Sequence, residues 1–150
     1  LASTVASMTA SNRAASRAAV EAGIHAATDI TGFGLAGHAH EMAERSGVAV
    51  RISMGAVPLL PGARAHAAGS SFGGLERNQA FFLSEDRVRF DGLDDQVLRT
   101  LALDPQTSGG LLLGVPEAHA QAWDEARKKH GVDARRIGAV TNGAGVTLST

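Results

Sequence analysis

The stretch that decides the fold reads Ala27-Thr28-Asp29-Ile30-Thr31-Gly32-Phe33-Gly34-Leu35-Ala36-Gly37-His38. Ile24 to Ile30 is a short, mostly apolar strand candidate, and Leu35 to Arg45 reads as a helix that stops at Ser46-Gly47. The quoted residues are therefore a strand, a glycine-rich turn and a helix in succession. Glycine costs about 0.5–1 kcal/mol relative to alanine inside a helix, so a cluster of glycines marks a sharp turn or a close backbone approach. Gly32 to Gly37 spells G-x-G-x-x-G in the strand-then-helix context of a dinucleotide fingerprint. That fingerprint also needs an acidic residue about 20 positions further on to hold the ribose hydroxyls. No Asp or Glu lies between Glu44 and Glu76, which disfavours a Rossmann site.

What remains is an aspartate flanked by Thr28 and Thr31 at the carboxyl end of a strand, just before the turn that opens a helix. Unpaired amides at a helix start favour phosphate oxygens, and Asp29 offers one hard oxygen ligand to a Mg²⁺ held between such phosphates. Magnesium takes few protein carboxylates and several waters or phosphate oxygens, so a single aspartate suffices as a ligand. The competing structural reading is that Asp29 or Thr31 caps the helix that starts near Gly32.

Outward from this segment, helices and strands alternate. Met8 to Ala22 is an alanine-rich helix closed by Gly23, and Val48 to Ile52 a half-buried strand. Gly55 to Gly74 is loop-dominated, with a short helix around Ala63 to Ala68. Phe81 to Phe90 reads as strand with a turn at Glu85-Asp86, and Asp94 caps a helix reaching about Leu101. Leu111 to Val115 is a continuous apolar run, expected to be a buried strand, followed by a helix from Pro116 to His130. Arg136 to Val140 and Val146 to Leu148, joined through Asn142-Gly143, are expected to form a hairpin. The class is α+β, a layered α/β arrangement in one domain over residues 1–150.

Composition narrows the chemistry. The 150 residues contain no cysteine, which excludes a disulfide scaffold, a thiolate zinc site and a cysteine nucleophile within this chain. Lys and Arg number 14 against 15 Asp and Glu, too even a balance for the basic stripe of a nucleic-acid binder. No apolar run approaches the roughly 18 to 20 residues of a membrane span, and the amino end lacks a secretory pattern, so the cytoplasm is the expected location. A start at Leu1 suggests a domain excised from a longer chain.

Among the histidines, His38 and Glu41 share one helix face while His38 and His40 point apart, a poor match to the i, i+4 pair of helical zinc sites. No G-x-S-x-G elbow or G-x-x-x-x-G-K-[ST] loop occurs. A second unusual segment is Asp104-Pro105-Gln106-Thr107-Ser108-Gly109-Gly110, entering the Leu111 strand. It is either a strand-entry turn or a loop whose Thr107 and Ser108 hydroxyls reach a ligand.

Ala27 to His38, Glu41-Met42, Pro58 to Ala63, Arg77-Asn78 and Asp104 to Val115, in this order, resemble the carboxyl-terminal domain of selenophosphate synthetase, within the superfamily of aminoimidazole ribonucleotide (AIR) synthetase. One departure is Phe72-Gly73-Gly74, where the family usually places a proline before the paired glycines. The resemblance implies an AIR synthase C-terminal-like fold, helices on a mixed sheet and partly ferredoxin-like. It implies a two-domain enzyme converting ATP, selenide and water to selenophosphate, AMP and phosphate with Mg²⁺. The reactive Cys or selenocysteine would lie in an amino-terminal domain of the same chain, the full-length enzyme would be a homodimer, and this domain alone would be inactive. Asp29 is then expected as a Mg²⁺ ligand, with Thr28, Thr31, Gly32 and Gly34 on the ATP phosphate side. A different ATP enzyme of the same superfamily, or a non-catalytic structural or dimerisation module, are the alternatives.

Overall fold

The computed structural model describes residues 2–69 and 73–150. In chain order the elements are α1 (Ala2–Thr9), α2 (Arg13–Glu21), β1 (Ala26–Asp29), α3 (Gly34–Ser46), β2 (Ala49–Ser53), α4 (Ala63–Ala67), α5 (Gly73–Phe82) and β3 (Val88–Asp91). They continue with α6 (Gln96–Leu103), β4 (Leu111–Gly114), α7 (Ala120–Lys129), β5 (Gly138–Thr141) and β6 (Gly145–Ser149). Four strands form a mixed sheet in the order β3-β6-β2-β5, while β1 and β4 pair antiparallel as a separate ladder. The expected architecture of helices packed on a mixed sheet is thus present. Residues 70–72, including the Phe72 of the altered glycine loop, lie outside the described residues.

The core follows from strand alternation. In β6 the buried positions are Val146 and Leu148, and Ile52 of β2 and Val88 of β3 join them in one cluster. Ala36 and Ala39 of α3 sit in the same cluster, their small side chains allowing the helix to lie close against β2 and β6. Leu98, Ala102 and Leu103 of α6, Leu75 and Phe82 of α5, and Met54 and Leu93 from the connecting segments complete it. A second cluster joins Ala18, Ala19 and Ala22 to Ile24 and Ala126, with Leu113, Val115 and Trp123 against it.

Several local expectations are corrected. The helix expected over Met8 to Ala22 is two helices, because Thr9 Oγ1 bonds back to Val5 O at 2.9 Å and Ser11 Oγ accepts from Arg13 N at 3.2 Å. Such hydroxyls offer the backbone alternatives to the helical ladder. Phe81 and Phe82 end α5 rather than begin a strand; Phe82 is buried in the main core, and the strand starts only at Val88. The turn at Glu85-Asp86 is present, both residues at positive φ, with Arg87 donating to Glu85 Oε2 at 2.7 Å beside it. Asp95, not Asp94, caps α6, its Oδ1 accepting from Val97 N at 3.0 Å and Leu98 N at 3.2 Å. The Leu111 strand is half-buried rather than buried, and a 3-10 turn over Glu117–His119 precedes α7.

The largest correction concerns the terminal strands. β5 and β6 are not paired with each other: β2 lies between them, antiparallel to β5 (Val50 opposite Val140) and parallel to β6 (Val50 opposite Val146). The Asn142-Gly143 connection crosses the start of β2 rather than closing a hairpin, with Gly143 and Gly145 both at positive φ.

Candidate functional site

β1 ends at Asp29, opposite Leu111, and the chain then stays tied to the second glycine-rich segment. Ile30 N donates to Gly110 O at 2.9 Å, Gly109 N to Ile30 O at 2.8 Å and Gln106 N to Thr31 O at 2.9 Å. The two unusual segments of the sequence are therefore one structure. Gly109 is required at this contact, since a Cβ there would stand 2.8 Å from Ile30 Cβ. Gly34 has φ +68°, and its Cβ would meet Leu103 C at 2.8 Å and Asp104 O at 2.9 Å. Close packing against the end of α6 accounts for that glycine. Gly32 differs, because the position of its Cβ is open space.

Asn78 of α5, buried to 6% exposure, binds the two sides together. Its Nδ2 donates to Gly32 O and to Leu103 O, each at 2.9 Å. Asn78 stands in the Arg77-Asn78 pair that carries part of the family resemblance, but the sequence does not give its carbonyl partners, 46 and 25 residues away.

Asp29 is exposed on an open groove of about 460 Å³, lined also by Ser11, Asn12, Arg13, Ser16 and Thr28. No hydrogen bond or ion pair holds its carboxylate among the described residues. Thr28 Oγ1 lies 3.2 Å from the Asp29 carbonyl. The capping reading is not realised: Phe33 occupies the cap position of α3, and no side chain accepts from its first amides. Thr31 instead turns its hydroxyl to His38 Nε2 at 3.2 Å. Of the expected residues, the groove brings Thr28 and Asp29 together, while Thr31, Gly32 and Gly34 form the adjoining turn.

His38 and His40 are buried and diverge, His38 beside Phe33 and His40 edge-on to Phe82. Among the described residues no group of three or more His, Asp or Glu side chains is placed to hold a metal ion. The donor set fits magnesium in one respect: a free, exposed carboxylate supplies one corner of a coordination shell that phosphate and water otherwise fill. Asp104 lies next to the loop and is partly buried. Burial raises its pKa, and a 2.9 Å hydrogen bond from Gln106 Nε2 partly offsets this. Thr107 is exposed and its hydroxyl has no partner among the described residues.

A layered α/β domain with these joined loops belongs to a defined class. The chain matches the family described as AIR synthase related protein, C-terminal domain, over residues 3–150, and it is a member of that family. Within it the chain is similar to selenide, water dikinases. The enzyme of Caldanaerobacter subterraneus subsp. tengcongensis is 44% identical over 99 residues, 65% of this chain and 28% of the relative. Selenide, water dikinase 2 of Peptoclostridium acidaminophilum is 41% identical over 76% of this chain and 32% of its own length. That of Cronobacter sakazakii is 42% identical over 81% and 34%. The chain thus spans about a third of the length of the curated relatives it matches. Among solved structures, hydrogenase maturation protein HypE in complex with ATP covers 91% of this chain and 33% of its own, with 26% identity and a TM-score of 0.51. No helix among the described residues is long and apolar enough to cross a membrane.

Proposed function

We propose that the chain is the carboxyl-terminal domain of a selenophosphate synthetase, converting ATP, selenide and water to selenophosphate, AMP and phosphate, and that it supplies Asp29 to the nucleotide cleft. The observation that carries the site is the Asp29 carboxylate, exposed at a strand end and without a partner among the described residues, where a structural aspartate would be capping α3. The identity to selenide, water dikinases favours selenium chemistry over other substrates of the superfamily. The remaining cleft, the reactive Cys or selenocysteine and most metal ligands belong in this reading to an amino-terminal domain of a cytoplasmic homodimer. A Mg²⁺ bound there supplies charge neutralisation and orientation of the transferred phosphoryl group. Asp29, with Thr28 beside it, offers oxygen donors; Gly32 leaves room for close approach of a phosphate; Gly109 and Asn78 fix the turn.

Asp29→Asn in the full-length enzyme tests the assignment. The expected result is an unchanged far-UV circular dichroism spectrum with ATP-dependent selenophosphate formation lost. Retained turnover with the same Mg²⁺ dependence would sink it.

A further inference from the structure

We infer that His38 is a positioning residue that acts through Thr31, locking the turn after Asp29, and that the Thr31 hydroxyl is spent on this lock rather than on the nucleotide. His38 is 7% exposed on the first turns of α3, and two polar groups face its ring. Nε2 lies 3.2 Å from Thr31 Oγ1, and Nδ1, itself buried, lies 3.4 Å from Glu41 Oε2 without hydrogen-bond geometry. Which nitrogen carries the proton is set by the partner of the other. A bare, buried Nδ1 lone pair facing a carboxylate is repulsive, whereas an Nδ1 proton makes the contact attractive. The proton therefore sits on Nδ1, and Nε2 accepts from the Thr31 hydroxyl, whose single proton is then engaged. A phosphate oxygen needs a donor, so the Thr31 hydroxyl has none to give.

The consequence is mechanical. The Thr31 carbonyl is already held by Gln106 N at 2.9 Å and Gly34 N at 3.0 Å. With the hydroxyl also fixed, the carbonyl and the hydroxyl of Thr31 are both pinned two residues after Asp29. The role assigned to His38 thus rests on the proposed function of Asp29, while the tautomer does not.

The test has two parts, both on the full-length protein. In ¹⁵N-histidine-labelled protein, a long-range ¹H–¹⁵N correlation spectrum is expected to show His38 neutral with the proton on Nδ1. A proton on Nε2, or on both nitrogens, overturns the inference whatever Asp29 does. In kinetics, Thr31→Val and His38→Leu are each expected to raise the Mg²⁺ concentration for half-maximal turnover roughly fivefold, the size of one lost hydrogen bond. The double variant should be no worse than either alone, and His38→Gln, whose Oε1 can accept from Thr31, should recover most of the loss. A rise in the KM for ATP with Thr31→Val but not with His38→Leu would make Thr31 a direct ligand and overturn the lock. A normal response to both variants alongside an inactive Asp29→Asn would also overturn it while leaving the proposed function standing.

Discussion

Asn78 shows how one side chain can hold a site that it does not enter. The Gly32 carbonyl and the buried Leu103 carbonyl both accept from its amide, and a buried acceptor left without a donor costs about 1–3 kcal/mol. Asn78→Leu is expected to lower stability by at least that amount in urea denaturation. Asp104 gives a second prediction at this scale. Its pKa is raised by burial, so the folded state holds the proton more tightly than the unfolded chain. Its contribution is most favourable below the ordinary value of 3.8 and is lost as pH rises through the higher folded value. Asp104→Asn should therefore show less loss of stability than the parent chain as pH is raised across that window, measured by thermal melts at stepped pH. A steeper loss in the variant would contradict the burial argument.

At the scale of elements, boundaries were set by partners that local patterns do not report. Asp94 and Asp95 are equally good capping residues, yet only Asp95 has its carboxylate on the first amides of α6, and Arg64 of α4 also reaches it at 2.5 Å. Asp95→Ala is expected to cost about 0.5–2 kcal/mol in chemical denaturation, and Asp94→Ala much less. The run from Phe81 to Phe90 carries apolar residues that suit a strand by composition. Phe82 is nevertheless claimed by the main core from the end of α5, and only Val88 and Phe90 keep the strand alternation.

For the whole molecule, β4 is the hinge of the packing. Adjacent residues on opposite faces serve different clusters: Leu112 packs on the main core, Leu113 on the α2 and α7 cluster. A strand shared in this way couples the two clusters. The single tryptophan, Trp123, reports on the smaller one, and far-UV circular dichroism reports on the whole. Their urea transitions are expected to coincide, as a single cooperative unit requires. Earlier loss of the Trp123 signal would mean that β4 does not couple them.

By itself the sequence determined the strand, turn and helix around Asp29, the helix-ending glycines Gly23 and Gly47, the mixed α/β class and the family resemblance. Each of these is written in contiguous residues, where periodicity, glycine and turn chemistry act over a few positions. Only the tertiary structure decided that β2 separates β5 from β6, that the Asp104–Gly110 segment is joined to Ile30 and Thr31, and that Asn78 and His38 hold the turn. Those outcomes depend on groups tens of residues apart competing for the same hydrogen bonds and the same buried volume. A strand such as Val146–Leu148 satisfies its backbone equally well beside β2 or β5. The apolar face it must bury against α3 chooses between them, and that face exists only once the sheet has formed.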